Sequence, residues 1–123
     1  MPRPRQPGLT ENELEVMQVL WAHAPLKISD ILEQLQRNPK PAYTSLLTLV
    51  QTMEKKGYIK HEKEGKAFAY LPILKKKKYL AGEVKRIVKR LFGGNASSLV
   101  MNLVESEQLS KYEIENLKQL LKD

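Results

Sequence analysis

Residues 41–71, PAYTSLLTLVQTMEKKGYIKHEKEGKAFAYL, decide the fold of this chain. They predict a short amphipathic helix, a stop at Gly57 and a two-stranded hairpin with a basic turn. In the helix, apolar side chains recur at the i, i+3, i+4 and i+7 spacing of one buried face. These side chains are Leu46, Leu49, Val50 and Met53.

The opposite face of this helix carries uncharged hydrogen-bonding groups and ends in a cation. At 3.6 residues per turn, this stripe consists of Thr44, Thr48, Gln51 and Lys55. A solvated helix face typically pairs Glu with Lys, whereas hydroxyls, an amide and a lysine suit base edges and phosphates in a major groove. We therefore predict a reading helix in which Thr44, Ser45, Thr48 and Gln51 lie at or near the bases.

The segments that follow the reading helix predict the wing of a winged helix-turn-helix domain. Residues 58–62 and 67–71 are strand-like, and the turn between them contains a glycine that can adopt a positive φ. We expect Lys63 and Lys66 at the hairpin tip, together with Lys55, to contact backbone phosphates. Tyr43 is equally consistent with a groove contact and with packing under the preceding turn.

Two shorter helices are predicted before the reading helix. Thr10 and Glu13 have the spacing of a capping box for the first helix, and Pro25 ends it. Residues 26–28 are expected to be extended and to pair with the hairpin as a third strand. Ser29 is expected to cap the second helix. The sequence NPKP then predicts a turn, because two prolines forbid a continuing helix.

The chain after the hairpin predicts three amphipathic helices. A lysine run at 75–78 opens the first, Gly93 ends it, and Ser110 with Glu113 forms a second capping box. Apolar helix faces outside a complete module need a partner, and the simplest partner is a second copy of the chain. We expect dimerisation through Leu80, Val84, Ile87, Leu91, Leu99, Leu103, Ile114, Leu117 and Leu121.

The predicted fold class is mainly α with a small β-hairpin, in a chain of 123 residues. We expect a disordered basic arm at 1–8, a winged-helix DNA-binding domain at 9–72 and a helical dimerisation region at 73–123. Arg3 and Arg5 in the arm are candidates for a minor-groove contact, although an unbound terminus is the simpler reading of this segment.

The net charge of +7 is unevenly distributed along the chain. Residues 58–94 hold 11 basic and 3 acidic residues, which is the electrostatic footprint of nucleic-acid binding. The same excess of basic residues could instead serve solubility alone. No apolar run approaches the roughly 20 residues of a membrane span, and MPRPRQPG at the start lacks the apolar segment of a signal peptide. We expect a cytoplasmic location.

The residue types argue against an enzyme. The chain has no cysteine, which excludes disulfides, thiolate catalysis and cysteine metal sites. His23 and His61 have no partners at ligand spacing, so we expect no metal. We find no carboxylate pair, glycine-rich phosphate loop or Ser-His-Asp order, and we expect no cofactor.

Two other classes of protein remain open on these residues. A winged helix can serve as a protein-interaction module whose basic face meets an acidic partner, and it would then bind DNA weakly and without sequence preference. A non-specific architectural DNA-binding protein is the other class. The uncharged stripe on the reading helix argues against it, because binding the backbone alone needs only cations.

Four stretches of the chain, in this order, match the pattern of a known family. They are LTENELEVMQVLW at 9–21, AYTSLLTLVQTMEKKGYI at 42–59, EKEGKAFAYLP at 62–72 and FGGNASSLVMNLVESEQLS at 92–110. With them the chain resembles the penicillinase-repressor (BlaI/MecI) family of bacterial transcription repressors. The resemblance extends over nearly the whole chain.

The resemblance implies a homodimer that binds palindromic operators and represses β-lactamase or other stress-response genes. It also implies dimerisation through the C-terminal helices and derepression by proteolysis, triggered by a membrane-bound sensor metalloprotease. By position within LVMNLVE, the cleaved bond is Asn102–Leu103, although the family usually has Phe after this Asn. Relatives that sense copper carry clustered C-terminal cysteines, which this chain lacks.

Overall fold

The structure is a computed structural model that describes residues 8–122. The predicted arm, with Arg3 and Arg5, lies outside the described residues apart from Gly8. The chain divides into two compact units, one ending at Leu80 and the other beginning at Ala81. The elements are α1 Glu11–His23, α2 Ile28–Gln34, α3 Tyr43–Lys55, β1 Ile59–Glu64, β2 Ala67–Pro72, α4 Lys76–Leu91, α5 Ala96–Glu105 and α6 Lys111–Leu121.

The start of α1 is the predicted capping box. The Thr10 hydroxyl accepts a hydrogen bond from the Glu13 N–H at 3.1 Å, and the Glu13 carboxylate accepts one from the Thr10 N–H at 2.9 Å. Two N–H groups of the first turn are thereby satisfied, which stabilises the helix. At the other end the Ala24 N–H still bonds to Leu20, and α1 stops before Pro25, as predicted.

The predicted cap of α2 at Ser29 is wrong. The N-cap is Lys27, whose carbonyl accepts the Ile31 N–H at 3.0 Å, and Ser29 is the second residue of the helix. The helix begins earlier because Ile28 must lie on the same face as Ile31 and Leu35 to reach the core. All three are buried, with at most 6% of their surface exposed.

The predicted third strand is reduced to one bridge. Leu26 and Tyr70 pair in antiparallel fashion, and their N–H to carbonyl hydrogen bonds measure 3.2 and 2.7 Å. Ile28, expected to be extended, is helical, so the pairing ends after a single residue. The bridge still ties the connection between α1 and α2 to the hairpin.

The first unit has one hydrophobic core, enclosed by α1, α2, α3 and the hairpin. The predicted buried face of α3 is confirmed, because Leu46, Val50 and Met53 are at most 1% exposed. Leu49 packs at the edge of this core. The remaining core side chains are Val16, Met17, Leu20, Ile28, Ile31, Leu35, Ile59 and Tyr70.

The hairpin has a register that leaves a two-residue turn. Antiparallel pairing runs from Ile59 opposite Pro72 to Glu64 opposite Ala67. Gly65 occupies the turn with φ of +67°, the left-handed region that the sequence predicted for this glycine. Strand β1 extends two residues further towards the tip than predicted, so Lys63 lies within β1.

The second unit contains helices with little buried surface. Ser110 and Glu113 form the predicted capping box of α6, with hydrogen bonds of 2.8 and 3.0 Å. The Asn95 side chain caps α5 by accepting the Ser98 N–H at 3.2 Å. Neither α5 nor α6 buries a residue, and Val88 is the buried residue of α4. Among the described helices, none combines the length and apolar character needed to cross a membrane.

Candidate nucleic-acid interface

The polar stripe of α3 lies at the surface, opposite the core face of the same helix. Its members Thr44, Ser45, Thr48, Gln51 and Lys55 are all exposed. The amphipathic pattern produces this arrangement, since burial of the apolar face turns the polar stripe to solvent. The structure therefore places the predicted base-contacting side chains together on one accessible helix face.

The start of α3 suits an anion. Its N-cap residue Ala42 has no side-chain group to cap the helix, and the first turn contains no acidic residue. N–H groups at a helix start and the helix dipole both favour a phosphate. Tyr43, the first residue of α3, is 49% exposed, so its ring is accessible beside these N–H groups.

Two side chains of the stripe differ in what they can offer a base. The Thr48 hydroxyl donates its proton to the Thr44 carbonyl at 3.0 Å, which leaves its lone pairs and its methyl group for a contact. In the described part of the chain, the Gln51 amide has no hydrogen-bond partner. Its donor and acceptor are both free, as bidentate recognition of adenine requires.

The wing is attached to the reading helix through His61. Side chains alternate along β1, so Ile59, His61 and Lys63 share one face of the hairpin. His61 Nδ1 lies 2.6 Å from Glu54 Oε2 on α3, and its ring stacks on Phe68 at 4.1 Å between ring centroids. Lys63 is therefore on the hairpin face that meets α3.

Sequence reasoning missed this role of His61, because it considered the residue only as a lone histidine. The available signal was its alternation with the apolar Ile59 on the same strand. Its partner Glu54 lies on the preceding helix. The pairing therefore depends on the direction in which the chain leaves the turn at Gly57 and enters the hairpin. Lys66, by contrast, is exposed in the turn itself, as predicted.

An ion pair between a buried carboxylate and an exposed lysine fixes the end of α3 to α1. Lys56 Nζ lies 2.7 Å from Glu13 Oε2, and only 3% of the Glu13 side chain is exposed. Burial raises the pKa of Glu13, but hydrogen bonds from Lys56 and Thr10 outweigh it and hold that pKa below its ordinary value. The same pairing raises the pKa of Lys56.

The predicted dimerisation residues keep much of their apolar surface uncovered. Six of them are exposed, with 37% to 83% of their surface accessible: Leu80, Val84, Ile87, Leu91, Leu117 and Leu121. Leu99, Leu103 and Ile114 are half-buried. Asn102, on the amino side of the predicted cleavage bond, is exposed within α5.

No cluster of metal-ligating side chains occurs within residues 8–122. The two histidines have different surroundings. His61 contacts Glu54, whereas His23 lies exposed at the end of α1. The chemistry assembled on this surface is hydrogen bonding and positive charge, which suits recognition of a polyanion.

The order of α2, a turn, α3 and the hairpin is that of a winged helix-turn-helix. The exposed polar stripe on α3 and the lysines on the hairpin complete the surface of a DNA-binding protein of this class. The family model described as Penicillinase repressor matches residues 9–123. The chain belongs to this family.

Relatives in sequence cover almost the whole chain. The penicillinase repressor of Bacillus licheniformis is 34% identical over 121 residues, which are 95% of this chain and 91% of that protein. The methicillin resistance regulatory protein MecI of Staphylococcus aureus strain N315 is 30% identical over 113 residues, 92% of each chain. The expected resemblance is confirmed, as is the prediction that this chain is not an enzyme, since the family consists of repressors.

Solved structures match the winged-helix part. The DNA-binding domain of the repressor BlaI superposes with a TM-score of 0.51 at 30% identity, covering 59% of this chain and 89% of that one. The monomeric form of Bacillus licheniformis BlaI, in complex with the blaP half-operator, gives a TM-score of 0.50 with the same identity and coverage. The predicted fold class is confirmed.

Proposed function

We propose that this chain is a sequence-specific transcriptional repressor that binds a palindromic operator as a homodimer. The observation that carries the proposal is the exposed, uncharged stripe of α3, on a chain that belongs to a repressor family. Hydroxyls and a free amide can hydrogen-bond to base edges, which carry the sequence information that phosphates lack. The half-operator complex of the BlaI relative supports recognition of one half-site by each protomer.

The proposed DNA contacts fall into two groups. Tyr43 and the stripe of α3 from Thr44 to Gln51 contact bases and the phosphates beside them. Cations supply the remaining phosphate contacts, which steer and orient the protein without reading sequence. These cations are Lys55, Lys63 and Lys66, and besides these two groups Arg3 and Arg5 are candidates for a minor-groove contact.

The proposed dimer rests on apolar surface that no other part of the described chain covers. Neither α5 nor α6 buries a residue, although both carry apolar stripes. A second copy would cover these stripes in a two-fold interface. Linking two reading helices raises affinity by roughly 10² to 10⁴ through effective concentration. The half-sites should lie about one helical turn apart, or a multiple of it.

The proposed route of derepression is cleavage between Asn102 and Leu103, triggered by a membrane-bound sensor metalloprotease. The bond lies inside α5, so a cut would remove the rest of α5 and all of α6 from the dimer. The winged helix would remain intact, and the repressor would lose the affinity that linkage provides. Repressed genes would include β-lactamase or other stress-response genes, and the protein would act in the cytoplasm.

The test is selection of binding sites from random duplex DNA at about 150 mM salt, where non-specific binding is weak. Recovered complexes are sized by light scattering. We expect an enriched palindrome bound by two protomers. Recovery of unenriched DNA would reject sequence-specific repression by the free protein and would favour the protein-interaction module instead.

A further inference from the structure

A four-residue repeat occupies residues 84–91 near the end of α4, where VKRI is followed by VKRL. Because four residues are close to one helical turn, equivalent side chains of the two copies stack on the same face. The apolar members of the repeat form one face. The other face holds four cations, which we name the basic quartet: Lys85, Arg86, Lys89 and Arg90.

The basic quartet lies on α4, the helix that accounts for most of the net positive charge of the chain. Helix α4 has seven basic residues and one acidic residue, a net charge of +6, against +7 for the whole chain. The acidic residue, Glu83, forms an ion pair with Arg86. Within residues 8–122, Lys85, Lys89 and Arg90 have no ion-pair partner, and all are exposed.

This concentration of charge opposes helix stability. Like charges four residues apart repel one another, and the quartet contains two such pairs, Lys85 with Lys89 and Arg86 with Arg90. Solubility needs no such concentration, because mixed charges spread over the surface achieve it. An anionic partner that neutralises the quartet would remove the repulsion.

We propose that the basic quartet is a second DNA-contact surface, which binds phosphates of the duplex that α3 reads. The inference rests on the proposed operator binding. A polyanion with closely spaced phosphates fits two parallel rows of lysine and arginine. The C-terminal helices would then add direct, sequence-blind affinity besides the affinity that dimerisation provides.

The cleavage site proposed above lies after the quartet in the chain. A protein cut between Asn102 and Leu103 would retain α4 and these phosphate contacts while losing α6. The cut protein should therefore keep the sequence preference of α3 for a single half-site, and the quartet should add a salt-dependent, sequence-blind part to its affinity.

The test compares two double variants that remove the same charge. Lys85→Gln/Lys89→Gln changes the quartet, and Lys111→Gln/Lys118→Gln changes two exposed lysines of α6. Affinity is measured over a range of salt concentrations for a selected palindrome and for a scrambled duplex of the same length. We expect the quartet variant to lower the salt slope by about 2 units per protomer, at roughly 0.9 per phosphate, on both duplexes. The α6 variant should keep the slope of the unmodified chain.

If the two double variants lowered the salt slope equally, the inference would be overturned, because the effect would then reflect net charge alone. If the quartet variant kept the salt slope for DNA but lost binding to anionic lipid vesicles, the quartet would be assigned to a membrane surface, and the inference would also be overturned. Sedimentation velocity of each variant checks that dimerisation is unaltered; a slope change that follows only from dimer loss counts against the quartet. If the unmodified chain shows no palindrome preference but the quartet slope still falls, the proposed function fails and the phosphate surface stands.

Discussion

Among the individual side chains, Gln51 has the most specific proposed role. Its amide is exposed and has no hydrogen-bond partner in the described chain, so it is free for bidentate pairing with adenine. Neighbouring Thr48 has already committed its proton to Thr44, which limits it to accepting hydrogen bonds. Specificity at the centre of the stripe should therefore depend more on the amide than on the hydroxyl.

Gln51→Ala is expected to relax base preference at one operator position by about 1–3 kcal/mol. Binding to random DNA should stay nearly unchanged, because the phosphate contacts remain. Titration of the operator and its single-base variants measures the effect. Gln18→Ala, an exposed glutamine in the interior of α1, is the matched control. Equal losses on operator and random DNA would contradict base reading by Gln51.

The Glu13–Lys56 pair predicts a pH dependence of stability. The pKa of Glu13 in the folded chain lies below its ordinary value of 4.5, so the carboxylate stabilises the fold above that pH. This contribution disappears as the pH falls through the lowered folded value. Glu13→Gln should cost about 1–3 kcal/mol near neutral pH, the typical cost of losing a charged hydrogen-bond partner.

Urea unfolding from about pH 7 to about pH 3 measures this dependence. The stability difference between the unmodified chain and Glu13→Gln should shrink below pH 4.5. Lys55→Gln, which removes the neighbouring exposed lysine, should leave the pH profile unchanged. A difference that is constant with pH would show that the variant acts through packing and not through the carboxylate.

At the element scale, the hairpin and α3 behave as one surface. His61 contacts Glu54 and stacks on Phe68, so β1 is held against the end of the reading helix. The same contact therefore positions Lys63 and the turn residue Lys66 relative to α3. Sequence periodicity predicted both elements, but their attachment depends on a contact between them.

Lys66→Ala is expected to weaken binding to all sequences alike and to lower the salt slope by about one unit. The reason is that a turn lysine meets phosphates, which are the same for every sequence. Lys60→Ala is the control, since Lys60 is exposed on the opposite face of β1 from Lys63. A slope unaffected by Lys66→Ala would remove the wing tip from the contact surface.

In the molecule as a whole, the C-terminal helices keep apolar surface uncovered within the described chain. Leu117 is 39% exposed and Leu121 is 83% exposed, and α6 buries no residue within the described chain. A folded helix with an uncovered apolar stripe is marginal in water. Association of two copies would supply the missing burial.

Leu117→Glu is therefore expected to weaken the dimer and to lower affinity for the full palindrome by roughly 10² to 10⁴. Affinity for an isolated half-site should not change, since the winged helix is untouched. Sedimentation velocity and DNA titration measure the two effects. Gln119→Glu adds the same charge to another exposed position of α6 and serves as control. An unmodified chain that sediments as a monomer at high concentration would reject the dimer.

Short-range sequence patterns were enough to predict the local features of this chain. Both capping boxes, the positive φ of Gly65 and the two faces of α3 were predictable, because each depends on residues within a few positions of one another. The candidate base contacts belong to this class, since helical spacing alone places them on one face.

The tertiary structure decided the features that join distant residues. Helix α2 begins at Ile28 and not after Ser29, because the core needs that side chain. Lys56 pairs with Glu13 across 43 residues, and the Trp21 indole N–H donates to the Leu74 carbonyl across 53. No local spacing predicts such contacts, since packing of the helices and hairpin brings the partners together. Sequence therefore defined which face could read DNA, and packing decided how that face is held.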